Sequence, residues 1–290
     1  MGAPCAPSPA TPAWQGTIAA SGFVSVSVVD RSMLHVLERM LVFPAPRLDC
    51  ADWNPDDLPH EDVEFRAEDG TQLHGWFVPH ESPRAAVLYS HGNGEHVARL
   101  APRLKELHEA TDVAVFAWDY RGYGKSQGKS TSELALTDAR EAQLWLADRM
   151  EIPPKDVVLL GRSLGGGVSA GLASRHAVRG LVLERTFSRL KDAAAYHFPW
   201  LPVRWLMRNE FPSIDWIRDY HGPLFQSHGT EDEVVPYAMG QALFDACPSE
   251  AKRFYTVEGG NHNGPQPVEY YEQLGEWMDE LSHREHSDAS

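Results

Sequence analysis

Three residue types able to carry acyl transfer occur in one order along the 290-residue chain: a serine in GRSLGGG (Gly161 to Gly167), acids in HGTEDEVVP (His228 to Pro236) and a histidine in GGNHN (Gly259 to Asn263). A serine hydroxyl is a weak nucleophile at neutral pH, so it needs a base to take its proton and a third group to orient that base. Ser163 is the candidate nucleophile, His262 the candidate base and Asp232 the candidate acid, with Glu231 and Glu233 beside it as alternatives. Asp232 would also suit a simpler purpose, capping a helix that begins near Pro236. Attack on a carbonyl creates an oxyanion that fixed donors must meet. The backbone N–H of Leu164 is one candidate donor, and the glycine-rich loop His91-Gly92-Asn93-Gly94 offers the second, the N–H of Asn93 or, failing that, of Gly92.

The same serine-containing turn must be weighed against phosphate binding. A dinucleotide fingerprint requires G-x-G-x-x-G; Gly161 and Gly166 fit its first and third glycines, and Glu184 stands where a ribose-binding acid would. The middle glycine, which lets a pyrophosphate approach the backbone, is replaced by Ser163. The sequence GYGKS ends like a phosphate-binding loop, yet the first glycine of that pattern falls on Asp119. Neither nucleotide motif is complete, whereas G-x-S-x-G is intact over Gly161, Ser163 and Gly165. At a sharp strand-to-helix turn the serine is forced into a strained backbone conformation, and the residues two places either side must be small.

These residues depend on the elements that place them. DVEFRAEDGTQLHGWFVP carries two alternating apolar runs around Glu68-Asp69-Gly70 and predicts a hairpin. From there short apolar runs alternate with helical stretches: RAAVLYSH with VARLAPRLKELHEA, DVAVFAWDY with ELALTDAREAQLWLADRM, DVVLLG with LGGGVSAGLASRH, then GLVLER, PLFQSHG with YAMGQALFDAC, and RFYTVE with VEYYEQLGEWMDEL. Near-continuous apolar strands separated by amphipathic helices predict a mostly parallel α/β sheet with helices on both faces. Ligands of such sheets bind beyond the C-terminal ends of the strands. The serine, the acid and the histidine each follow a strand and therefore share one edge.

Composition narrows the partners. Lysine and arginine number 26 against 41 acids, a formal charge of −15 spread along the chain, so nucleic acid, which needs a basic surface, is not an expected partner. Cys5, Cys50 and Cys247 are too few and too widely spaced for a disulfide framework or a zinc site, which suits a reducing, cytoplasmic setting. The N-terminal stretch has no lysine or arginine before Arg31, and its most apolar part, TIAASGFVSVSVV, is broken by serine and glycine. Neither a secretory signal nor a membrane span is expected, and Ala6 stands where a myristoylation signal needs Ser or Thr. Residues 1–30 read as a flexible or loosely docked leader. Residues 31–59 read as a helix and connector, with Met33, Leu37, Met40 and Leu41 on one face that either packs on the domain or meets a membrane or partner. Residues 60–285 are expected to form the catalytic domain.

Taken together, SHGNGE at 90–95, DYRGYGKSQGK at 119–129, GRSLGGG at 161–167, HGTEDEVVP at 228–236 and GGNHN at 259–263 resemble the α/β-hydrolase superfamily, and within it the ABHD12/ABHD13/ABHD17-like, or Bem46-like, serine hydrolases. The resemblance runs over roughly residues 60–283 and implies an α/β-hydrolase fold: an eight-stranded, mostly parallel sheet with helices on both faces and a short helical cap at about residues 187–221. Carried over position by position, it makes Ser163 the nucleophile, Asp232 the acid, His262 the base, and the Asn93 and Leu164 N–H groups the oxyanion hole. It also implies that Asp119, Tyr120 and Arg121 are structural, shaping the loop beside the site. The cap segment holds Phe187, Tyr196, Phe198, Trp200, Trp205, Met207, Phe211 and Trp216, most of which are expected to pack and a few to meet substrate. Many relatives begin with a membrane segment, which is not expected here.

The expected activity is hydrolysis of a small-molecule carboxylic ester or thioester through an acyl-enzyme on Ser163, without cofactor or metal. Peptidase, lipase and acyltransferase chemistry use the same triad and stay open, as does a non-catalytic binding role for a hydrolase fold.

Overall fold

The structure is a computed structural model that describes residues 51–203 and 207–288, with side chains described as far as residue 282. The expected leader of residues 1–30, the expected helix and connector of residues 31–59 as far as residue 50, and Cys5, Cys50 and Trp205 lie outside the described residues. The predicted hairpin forms first: β1 (Glu61–Arg66) pairs antiparallel with β2 (Gln72–Val78), Glu61 opposite Phe77 and Arg66 opposite Gln72. Its turn is closed by Gly70 N–H donating to Ala67 O, with Gly70 at φ +81° where a side chain would be strained. β2 then pairs antiparallel with β4 (Ala114–Asp119). All further pairings are parallel, through β3 (Ala86–Ser90), β5 (Val158–Arg162), β6 (Gly180–Glu184), β7 (Leu224–Gly229) and β8 (Lys252–Val257). The described strands make one eight-stranded sheet in the order β1-β2-β4-β3-β5-β6-β7-β8.

Side chains of the central strands alternate between two apolar layers, as a two-residue repeat demands. Leu159 of β5 enters one layer with α2 (Ser132–Arg149), α3 (Leu164–Ala173) and α6 (Tyr237–Ala246), which contribute Leu136, Leu146, Val168 and Leu243. Val158 and Leu160 enter the opposite layer with α1 (Ala101–Thr111) and α7 (Val268–Asp288), which contribute Leu104, Leu107, Leu274 and Trp277. Burial on both faces explains why β3, β4, β5 and β6 read as unbroken apolar runs. One helical stretch differs from its sequence reading. VARLAPRLKELHEA divides into a 3₁₀ turn at Val97–Arg99 and α1 from Ala101, because Pro102 fits only the first turn of a helix, where its missing N–H has no intrahelical acceptor to lose.

The strand order places the C-terminal ends of β3, β5, β6 and β7 side by side, and the loops that leave them meet above the middle of the sheet. Between β6 and β7 lie α4 (Leu190–His197) and α5 (Ser213–Ile217). Among the described residues no helix is long and apolar enough to cross a membrane. Leu160 is fully buried in the strand that feeds the serine turn. Its replacement by alanine is expected to lower unfolding free energy by about 2–5 kcal/mol, read by urea denaturation monitored through tryptophan fluorescence.

Candidate active site

The turn from β5 into α3 is built by backbone contact. Ser163 sits at φ +52° and ψ −114°, a conformation that costs a non-glycine residue about 1–3 kcal/mol. Three hydrogen bonds hold it there: its N–H donates to Glu184 O at 2.9 Å, and its carbonyl accepts from Thr186 Oγ1 at 2.7 Å and from Gly166 N–H at 3.0 Å. A Cβ on Gly161 would stand 2.2 Å from Gly165 O, and one on Gly165 would stand 1.9 Å from Ser90 O. The glycines either side of the serine are therefore required by the approach of the backbone of one residue to that of another. Leu164 is the first residue of α3, so its N–H has no acceptor within the helix and points with the positive end of the helix dipole.

Ser163, His262 and Asp232 come together although they are separated widely in sequence. His262 Nε2 lies 3.0 Å from Ser163 Oγ, and His262 Nδ1 lies 2.7 Å from Asp232 Oδ2. A carboxylate oxygen can only accept, so Nδ1 carries the proton and Nε2 of the neutral ring is left to accept the serine proton. The other oxygen of Asp232 accepts from the backbone N–H groups of Val234 and Val235 at 2.9 and 2.8 Å. That binding fixes the carboxylate in its own turn rather than capping α6, whose N-cap position is Pro236. Burial raises the Asp232 pKa, yet hydrogen bonds from His228 and His262 and the Val235 N–H outweigh it and hold the group well below the ordinary carboxylate range. His228 Nε2 must carry a proton, since it bonds Val235 O at 2.8 Å, and it lies 3.4 Å from Asp232 Oδ2. Burial lowers the His262 pKa below its usual 6.5 despite the opposing pull of Asp232. The His262 ring is therefore mostly neutral at pH 7. Neither Glu231 nor Glu233 is buried, whereas Asp232 is.

The loop after β3 faces this group across the elbow. Gly92 N–H donates to Glu95 Oε2 at 2.9 Å, which leaves that group already engaged. Asn93 is exposed, and its side-chain oxygen accepts from Tyr123 Oη at 2.9 Å. The DYRGYG segment shapes this loop from below: Tyr120 Oη donates to His91 O at 2.7 Å, and Asp119 Oδ1 accepts Val97 N–H at 2.9 Å. Arg121 instead forms a buried pair with Asp138, Nε to Oδ2 at 2.7 Å, and reaches Asp69 in the β1–β2 turn.

Glu95, Arg162 and Arg185 occupy the same site and were not singled out by residue pattern. Arg162, the last residue of β5, is buried and donates to Glu95 Oε1 at 3.0 Å and to His262 O at 2.6 Å. Arg185, which follows β6 at φ +47°, is fully buried and donates to His262 O, Gly264 O and Pro265 O. The available signal was a charge at the end of an otherwise apolar strand, which must find partners if the strand end is covered. In the cap segment Phe187 and Phe211 are buried in the core with Trp216 and Met207 packed against it, while Tyr196, Phe198 and Trp200 are exposed. Among the described residues no cluster of His, Cys, Asp or Glu is arranged to hold a metal ion.

Known proteins share this arrangement of elements. A hydrolase family described as serine aminopeptidase, S33, matches residues 81–217. An uncharacterized protein of Mycobacterium tuberculosis is 36% identical over 207 residues, covering 71% of this chain and 73% of that one. Human alpha/beta hydrolase domain-containing protein 17B is 32% identical over 257 residues, covering 87% and 81%. Among solved structures, the Pyrococcus furiosus esterase Pf2001 superposes with a TM-score of 0.67 at 22% identity, over 81% of this chain and 98% of that one, a likeness of fold.

The closeness of Gly165 to Ser90 can be tested directly. Gly165→Ala places a methyl group 1.9 Å from the Ser90 carbonyl oxygen and must displace the elbow or β3. The expected result is a loss of about 1–3 kcal/mol of stability, read by thermal unfolding, together with loss of reactivity at Ser163.

Proposed function

Because the chain belongs to the α/β-hydrolase superfamily, in its ABHD group, we propose that it is a serine hydrolase that cleaves carboxylic ester or thioester bonds through an acyl-enzyme on Ser163. The observation that carries this reading is the continuous chain of hydrogen bonds from Asp232 Oδ2 through the His262 ring to Ser163 Oγ, at 2.7 and 3.0 Å. As Ser163 Oγ attacks the substrate carbonyl carbon, its proton passes to His262 Nε2, and Asp232 stabilises the imidazolium that results. The carbonyl oxygen becomes an oxyanion between the N–H groups of Leu164 and Asn93; Gly92, engaged with Glu95, is the poorer second donor. Collapse expels the alcohol or thiol, which takes the proton from His262. Water then repeats the sequence on the acyl-enzyme, giving its proton to His262 and releasing the carboxylic acid and free Ser163. All atoms and charges are supplied by the side chains, the substrate and water.

One feature favours esters over other acyl donors: a fold shared with esterases such as Pf2001. Amide cleavage is the second reading, supported by the matching family's description as serine aminopeptidase.

A fluorophosphonate probe is expected to label the protein at Ser163, while Ser163→Ala remains unlabelled under the same conditions. Absence of labelling on the wild type would reject the reading. Parallel assays with p-nitrophenyl esters, thioesters and an aminoacyl p-nitroanilide rank the two bond classes, with the esters expected to turn over faster. Protonated His262 cannot accept the serine proton, so activity falls as pH drops through its pKa. Since burial depresses that pKa, the midpoint of the acid limb of kcat/KM should lie below the ordinary histidine value of 6.5. An acid limb centred above pH 7 would contradict the assignment of the base.

A further inference from the structure

Two buried arginines meet at one backbone oxygen. Arg162 Nη2 and Arg185 Nη1 donate to the carbonyl of His262 at 2.6 and 3.1 Å, from the ends of adjacent strands whose register pairs Arg162 with Glu184. Arg185 reaches further along the same loop, to Gly264 O at 2.5 Å and Pro265 O at 3.0 Å. Arg162 reaches the other way, to Glu95 Oε1 at 3.0 Å, and the second oxygen of Glu95 accepts Gly92 N–H at 2.9 Å. Arg162 also donates to Asn263 Oδ1 at 3.2 Å. A continuous polar path thus runs from the loop after β3, through the residue immediately before Ser163, to the backbone of the candidate base.

Stability alone gives little reason for this arrangement. Arg162 is 2% exposed and Arg185 fully buried, and the Nε atoms of both are buried without a hydrogen-bond partner among the described residues. Withdrawing a guanidinium from water while leaving a donor unpaired is costly, and well-packed apolar side chains of similar volume serve stability as well or better. Arg185 is moreover held in a left-handed conformation, at φ +47°, that a non-glycine residue adopts only under constraint. A planar, forked cation is suited to holding several acceptors at fixed angles.

We propose that Arg162 is a positioning residue, gripping the His262 loop on one side and, through Glu95, the candidate oxyanion loop on the other, with Arg185 as a second clamp on the base. This rests on the serine hydrolase reading above. Without the Arg162 fork, His262 remains bonded to Asp232 but its carbonyl is held by Arg185 alone, at 3.1 Å, so its backbone is gripped less firmly against Ser163, and the loop carrying Asn93 loses its tie to Arg162. Drift of this kind acts on the rate of acylation more than on substrate binding.

The charge of Arg162 also bears on His262. The groups facing the His262 ring are Asp232 and His228 from the β7 side and Arg162 from β5, with Glu95 paired to Arg162 and Arg185 on the adjacent backbone. Removing the Arg162 cation favours the protonated ring and moves the acid limb upward. A residue whose contribution is only to folding changes the fraction of competent protein but leaves that limb where it was.

The test compares wild type, Arg162→Met, Arg162→Lys and Glu95→Gln. For each, fluorophosphonate titration gives the competent fraction, p-nitrophenyl acetate the kcat and KM, and kcat/KM is followed against pH. Arg162→Met is expected to retain an active-site titre close to wild type and to lose about 100-fold in kcat, with KM changed by no more than about threefold. Its acid limb should lie at higher pH. Arg162→Lys should restore the acid limb, because the charge is back, but recover only part of kcat, because one ammonium cannot span Glu95 and the His262 carbonyl together. Glu95→Gln keeps an acceptor for Gly92 N–H while discharging the pair, and should lower kcat by about tenfold; it decides the matter if Arg162→Met does not fold. A variant set with wild-type kcat and an unmoved acid limb, or one that loses titre alone, overturns the proposal while leaving the hydrolase reading intact. A wild type that neither labels nor turns over rejects both.

Discussion

The backbone of Ser163, held at φ +52°, is the constraint on which the rest of the site depends. Such a conformation persists only where surrounding contacts over-determine it. Here Glu184 O takes the serine N–H and Thr186 Oγ1 takes a place on its carbonyl, so the strand next to β5 supports both ends of the strained peptide. The same pinch brings Gly165 so close to Ser90 and His91 that no side chain fits between the elbow and the end of β3. The candidate nucleophile, Leu164 and the loop that carries Asn93 are thereby referenced to a single point.

The parallel sheet makes that reference frame possible. Because β3, β5, β6 and β7 run in the same direction and lie side by side, the residues leaving their C-terminal ends converge without long excursions. Two apolar layers cover both faces of these strands, with α2, α3 and α6 on one and α1 and α7 on the other. Polar side chains at the strand ends are then forced inward to find partners. Arg162 and Arg185 find theirs in the carbonyls of the loop after β8, and Glu184 finds the hydroxyl of Tyr270 at 2.6 Å.

Much of this was legible in the chain itself, and the limits of legibility have physical reasons. The hairpin, the strand-helix alternation and the placement of Ser163, Asp232 and His262 after strands follow from local periodicity and turn chemistry. Each is a property of a short window. The break before α1 was legible too, in principle, since Pro102 confines a helix start, but the apolar pattern on either side of it masks the interruption. Arg162 and Glu95 were invisible as a pair because an ion pair between residues 67 positions apart leaves no periodic trace. Likewise the acceptors of Arg185 are backbone carbonyls, which every residue possesses and which therefore carry no compositional signal. The exposure of Trp200 beside the burial of Phe211 is a matter of how the cap segment folds back, not of the residue types.

The order of the candidate triad along the chain has a consequence for how the site assembles. β8 is the edge strand next to β7, and the loop that carries His262 follows it, 99 residues after Ser163. The strands β3, β5 and β6 and the residues that hold the strained elbow all precede the candidate base in the chain. The candidate triad is thus complete only when β8 has docked beside β7 and the loop after it has met Arg162 and Arg185.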